Sequence, residues 1–235
     1  GAAAAIVRLQ AAGCKVVVVS SQSCVGKGLV RIGDVNSVMD RMCRLLRDEA
    51  HEAQLELQRQ LLHHPQHLSA LPPAIAACKA QGSLAAAASR SRYDLAQPDV
   101  IIYSVGAGDK AIHSEYTNTS DDKPSPAGIF KGAACLGLQR QEWRGFMVGD
   151  RLSDLLAGVA AGCEVVLVKT GMGADTAEQL LTSGQVIPGM LGLGMLGQSF
   201  QEQPSLKTPQ PVSDLLAASD LILASLRGVP HASVP

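Results

Sequence analysis

The chain has 235 residues, 46% of them apolar but only 3% aromatic, and a formal net charge of -1. That length suits one sizeable domain, or one domain with a large insertion, with a core of Val, Leu, Ile and Ala. So small a net charge supplies no general positive field for nucleic acid or an anionic membrane surface, while a local basic pocket for one phosphate stays open.

In chain order, residues 3–12 place Ala4, Ile6, Val7 and Leu9 at helical spacing, with Gly13 as the helix stop. Residues 15–20, Lys-Val-Val-Val-Val-Ser, form a short β-branched run of the kind buried on both faces in a parallel sheet. A polar, glycine-containing loop follows to Gly28. Asp34 is suited to cap a helix carrying Val35, Val38, Met39, Met42, Leu45 and Leu46. Across residues 51–97 the composition shifts to Gln, His and Ala, which reads as an insertion within a single domain spanning 1–235. His63, His64 and His67 in that stretch lack a carboxylate or cysteine placed to complete a ligand set, so they read as solvated side chains.

A second strand is predicted at 99–103, and a polar loop runs on to Asp122. Lys123-Pro-Ser-Pro126 is expected to open a helix to about Leu136, where backbone N–H groups and the helix dipole favour an anion. A third strand at 145–148 leads directly into Gly149-Asp150. A helix over about 153–161 stops at Gly162, and a fourth strand covers 164–169. Residues 184–211, rich in Gly, Met, Gln and Pro, read as a loop, and 212–226 as a final amphipathic helix. Strands alternating with helices imply α/β architecture with a doubly wound parallel sheet.

The six cysteines are widely spaced and form no Cys-x-x-Cys pair, which predicts free, buried thiols in a reducing compartment, cytoplasm or an organelle. No apolar run reaches the roughly 18 residues a membrane span needs. The apolar start lacks the basic leader of a signal peptide, and Gly1 rather than Met stands first, so upstream residues are expected. Cys24-Val-Gly-Lys-Gly28 hints at a nucleotide P-loop, but lacks the leading Gly and the Ser or Thr after Lys.

Ligands of open α/β sheets bind beyond the carboxyl ends of the strands, and three polar clusters fall there. They are Ser20-Ser-Gln-Ser23, the Lys123 turn, and Asp150 with Asp154. With their flanks they read VVVVSSQSCVGKG (16–28), KPSPAG (123–128) and FMVGDRLSDLLAGVAAGCEVVLVKTGMG (146–173). This set resembles the second, third and fourth motifs of the haloacid dehalogenase (HAD) superfamily, and most of all its heptose bisphosphate and histidinol phosphate phosphatase branch.

The resemblance implies a HAD-like Rossmannoid fold and Mg²⁺-dependent hydrolysis of a small sugar phosphate or similar phosphorylated metabolite. Ser20 would then hydrogen-bond the transferring phosphoryl group, with Ser21 beside it in place of the branch's Asn. Lys123 would neutralise that group and the nucleophile. Asp150 would bind Mg²⁺, and Asp154 would orient Lys123 or the metal shell. Lys27 would read substrate in place of an Arg. Such a division of labour suits phosphoryl transfer, where positioning and charge stabilisation dominate.

The family's nucleophile, the first Asp of an Asp-x-Asp motif ending a central strand, has no counterpart on any apolar strand here. The chain alone is therefore expected to be inactive. The gap in the sheet is expected to be filled by upstream residues, a partner's strand or a rearrangement. A catalytically dead, phosphatase-like subunit or binding module is the alternative expectation.

Overall fold

The computed structural model describes residues 1–63, 96–191 and 211–227. Cys78, His64 and His67, most of the 51–97 stretch and most of the 184–211 loop lie outside them. The chain divides into two compact units, one of residues 1–16 and 32–99, the other of residues 17–31 and 100–235.

In the first unit, helix α1 (Ala2–Ala11) packs on helix α3 (Ile32–His63). Ala3, Ile6, Leu46, Ala50 and Ala96 form the buried cluster, with Val7, Val16 and Met42 against it. Small alanines on α1 let the two helices approach closely, and Gly13 turns the chain out of α1 at φ 86°, a left-handed conformation that glycine adopts without strain. The compositional shift at His51 falls inside α3, which continues through it without a break. Asp99 knots the unit's end. Its Oδ2 accepts the Val16 N–H at 2.9 Å, and its Oδ1 faces Lys15 Nζ at 3.1 Å.

Every strand among the described residues lies in the second unit. Strand β1 (Val17–Ser21) pairs in parallel with β2 (Val100–Ser104), in the register Ser20↔Tyr103 and Ser21↔Ser104. Strands β3 (Phe146–Gly149), β4 (Glu164–Leu167) and β5 (Met190–Leu191) form a second parallel sheet in the order β3-β4-β5. The all-parallel α/β class is as the β-branched runs predict, but the strands are hydrogen-bonded as two sheets rather than one. Gln22 N donates to Ser104 O, so by the two-residue alternation Val17, Val19 and Ser21 turn their backbone groups away from β2. Likewise Gly149 O and Gly145 O serve β4, leaving Phe146 and Val148 facing away from it. Among the described residues no strand pairs with either of those edges.

The helices lie on the strands through glycines. Helix α4 (Ala127–Cys135) packs on β1 and β2, and a Cβ at Gly128 would stand 2.7 Å from Val19 Cγ1. Helix α5 (Leu152–Ala160) packs on β3 and β4 through Gly158, where a Cβ would stand 2.6 Å from Met147 Cβ. Gly162 then leaves α5 at φ 71°, where the sequence places the stop. Leu155, Val165, Leu167, Leu180, Ile187 and Met190 make this unit's core. Central β4 is its spine, with Val165 and Val166 fully buried. Helix α6 (Gly173–Ser183), which contributes Leu180, and the two-residue β5 are elements that sequence patterning did not single out. Helix α7 (Leu215–Arg227) begins later than predicted because Val212 is used in a parallel bridge to Val168. Among the described residues five cysteines are free, and burial pushes the Cys14 and Cys163 thiols up from their ordinary pKa. No helix among the described residues is long and apolar enough to cross a membrane.

Candidate phosphate site

The first wall of the site is the carboxyl end of β1. Ser20, on the strand's last turns of pleat, is half-buried, and its Oγ accepts a hydrogen bond from Gln22 Nε2 at 2.8 Å. Ser21 is exposed at the strand's end. The four-residue helix α2 (Ser23–Gly26) follows, and Lys27 stands at its end, half-buried, with no ion pair or side-chain hydrogen bond among the described residues. This loop closes onto the loop after β2, where Ile112 N donates to Gly26 O at 2.8 Å.

The second wall is the turn before α4. Lys123 does not open that helix as expected: α4 starts at Ala127, with Pro126 as its N-cap. Two prolines in four residues remove amide donors and hold the chain out of a regular helix until after Pro126. The ammonium rather than the helix dipole is therefore the positive element here. Lys123 Nζ lies 3.0 Å from Val19 O and 2.7 Å from Asp154 Oδ1. Val19 O is on the β1 edge turned away from β2, so the ammonium covers an edge carbonyl immediately before Ser20.

The third wall follows β3. Asp154, in the first turn of α5, is buried, and its Oδ2 accepts the N–H groups of Asp150 at 3.2 Å and Arg151 at 3.1 Å. These contacts satisfy amides left orphaned at the helix start and place a carboxylate where the dipole favours it. Oδ1 meets Lys123 as an ion pair without a hydrogen bond of its own, so Asp154 holds the helix start through one oxygen and the ammonium through the other. Asp150, at the end of β3, presents a carboxylate whose Oδ2 accepts Met172 N at 2.8 Å, while its carbonyl accepts the Thr176 hydroxyl at 2.7 Å. The bare α-carbons of Gly149 and Gly171 leave room for the Asp154 and Asp150 carboxylates respectively, and a Cβ at either would collide with them.

Contacts thus join Val19 beside Ser20, Lys123, Asp154 and Asp150 into one chain of neighbours. Ser21 and Lys27 lie on the same β1 loop without a contact into it. No group of three His, Cys, Asp or Glu side chains suited to a metal occurs among the described residues. Asp150 supplies one carboxylate, a donor set that fits Mg²⁺ only with waters and phosphate oxygen completing the octahedron. Two groups escaped the sequence reading. One is Gln22, the hydrogen-bond partner of Ser20. The other is the Ser104 hydroxyl, which donates to Asp122 Oδ1 at the end of β2. Only the Ser-x-Gln spacing beyond the strand hinted at the first, and nothing local hinted at the second.

Comparison with known proteins bears on this arrangement. No curated protein matches the chain. The HAD-hydrolase-like family model matches residues 122–188, a stretch that begins at Asp122 and contains Lys123, Asp150 and Asp154. Among solved structures, the chain is similar to the D,D-heptose 1,7-bisphosphate phosphatase from B. bronchiseptica complexed with magnesium and phosphate. That similarity has 21% sequence identity and a TM-score of 0.53, and covers 95% of this chain and 82% of that one. The chain has an α/β fold of the haloacid-dehalogenase kind, with its HAD-like hydrolase match in residues 122–188.

Proposed function

We propose that the chain is the phosphate-binding body of a Mg²⁺-dependent phosphatase for a small sugar phosphate or similar metabolite. The observation that carries the reading is Lys123, whose ammonium touches the β1 edge beside Ser20 and the buried Asp154 after β3. Ser20 and Lys123 hold the phosphoryl oxygens, Asp154 orients Lys123, and Asp150 holds Mg²⁺ against the phosphate. Ser21 and Lys27 contact the remainder of the substrate. The similar phosphatase, solved with magnesium and phosphate, supports this ligand pair.

Within these 235 residues no Asp-x-Asp stands on an apolar strand, so no aspartate is placed to form the phosphoenzyme. The chain alone binds phosphate without turning substrate over, and an extended segment, from residues upstream of Gly1 or from a partner, supplies the nucleophile. A second reading, a phosphatase-like binding module with no turnover in any assembly, is favoured by the edges of β1 and β3 with which no strand pairs among the described residues. Such edges are templates for another chain.

Isothermal titration of this chain with inorganic phosphate, with and without Mg²⁺, tests the first reading, alongside release of p-nitrophenol from p-nitrophenyl phosphate. The expected result is Mg²⁺-dependent phosphate binding that Lys123→Met weakens at least about tenfold, with no turnover. Absence of any phosphate binding sinks the reading. Phosphate binding without turnover, even in a longer form that contains an Asp-x-Asp strand, leaves the binding module as the function.

A further inference from the structure

The hydroxyl of Ser20 does not stand alone. Gln22 Nε2 donates to Ser20 Oγ at 2.8 Å, and Gln22 Oε1 accepts from the Cys24 thiol at 3.6 Å. The backbone of Gln22 is fixed separately, its N–H donating to Ser104 O at 2.7 Å. Three alternate residues at the end of β1 therefore form one relay, Cys24 to Gln22 to Ser20.

The relay has a direction. In the structure the Gln22 amide turns its carbonyl end to the Cys24 thiol, which donates, and its NH₂ end to Ser20 Oγ, which accepts. A serine hydroxyl has one proton and two lone pairs. With one lone pair filled by Gln22, its proton is left for an acceptor in the site. The unprotonated oxygens of a phosphate monoester dianion, or of HPO₄²⁻, offer only acceptors.

We infer that Gln22 is a positioning residue that aims the Ser20 proton at a bound phosphoryl oxygen, and that Cys24 fixes the orientation of the Gln22 amide. The inference rests on the phosphate reading of the site and adds to it a residue that touches no substrate. It makes the site a donor towards an unprotonated phosphoryl oxygen. It also predicts that reversing the amide's polarity damages binding more than deleting it. Gln22→Met keeps the length and removes the hydrogen bond. Gln22→Glu replaces the donor by an acceptor, which draws the Ser20 proton towards itself and turns a lone pair to the anion.

The test is a double-variant cycle on the full 235-residue chain, titrating inorganic phosphate in the presence of Mg²⁺ and recording the melting temperature of each variant. Gln22→Met is expected to weaken phosphate binding about three- to tenfold, the range of one neutral hydrogen bond, and Gln22→Glu more. In a Ser20→Ala background Gln22→Met should cost nothing further, because the hydroxyl it aims is gone. Melting temperatures should stay unchanged, since the Gln22 backbone hydrogen bond survives every substitution. An equal loss from Gln22→Met in both backgrounds overturns the inference, as does wild-type binding by Gln22→Met. If the unaltered chain fails to bind phosphate at all, the functional reading itself falls and takes the relay with it. If it binds and the cycle shows no coupling, only the relay falls.

Discussion

Lys123 Nζ stands 2.7 Å from Asp154 Oδ1, with both side chains largely out of solvent at 15% and 5% exposure. The pair ties the turn before α4 to the first turn of α5, and so ties the β1–β2 sheet to the end of β3. A largely buried charge that loses its partner is left uncompensated, at a cost of about 3 kcal/mol. Asp154→Ala should therefore lower unfolding stability by about that amount, read by urea melts. The paired variant Lys123→Met/Asp154→Asn should lose clearly less than the sum of its single changes. Additive losses would show that the two groups do not interact.

Glycine substitutions should divide by what they meet. A Cβ at Gly149 would lie 2.6 Å from Asp154 Oδ2 and 2.7 Å from its Cγ, displacing the carboxylate from the N–H groups of Asp150 and Arg151. Gly149→Ala is expected to cost about 1–3 kcal/mol and to abolish phosphate binding. Gly33, in α3 with nothing within 4 Å, should behave oppositely. Gly33→Ala, in the first turn of α3 rather than its interior, is expected to gain at most about 0.5 kcal/mol from helix propensity. Thermal melts of the two variants moving in the same direction would contradict this account.

Magnesium and phosphate should bind as a linked pair, since Asp150 is one carboxylate and the remaining ligands must come from water and phosphate. Titration should give weak Mg²⁺ binding alone, tightened about tenfold or more by phosphate, with reciprocal tightening of phosphate by Mg²⁺. Asp150→Asn should remove the Mg²⁺ dependence and leave the fold intact. Tight Mg²⁺ binding without phosphate would point to ligands other than Asp150.

Asp99 makes the first unit sensitive to acid. Burial pushes its carboxyl up, but the Val16 N–H, Lys15 and Gln10 together outweigh this and hold it below the usual carboxylate value. A carboxyl depressed in the folded state contributes stability that is fully present above its unfolded pKa of about 3.9, and that is lost as pH falls through the folded value. Urea melts should therefore show Asp99→Asn destabilised at pH 6, with the gap to wild type closing towards pH 3. A gap that widens in acid would refute the assignment.

The resemblance to the family's motifs supplied Ser20, Lys123, Asp150 and Asp154 as candidates. Of these only Ser20 and Asp150 sit at or next to a strand end that a β-branched run already marks, while Lys123 lies in the turn before α4 and Asp154 in the first turn of α5. The α/β class followed from the same alternation of Val-rich runs with amphipathic stretches. Local patterning could not show that Lys123 leaves the helix start and reaches the Val19 carbonyl, since that depends on where β1 lies across 104 residues of chain. Nor could it show the division of the strands into two sheets, or the Cys24–Gln22–Ser20 relay. Strand pairing and side-chain polarity are settled by which backbone groups face one another in space, and a sequence records neighbours along the chain rather than across it. Periodicity names the elements and the residues at their ends; only packing through Gly128, Gly149 and Gly158 decides which of those ends meet.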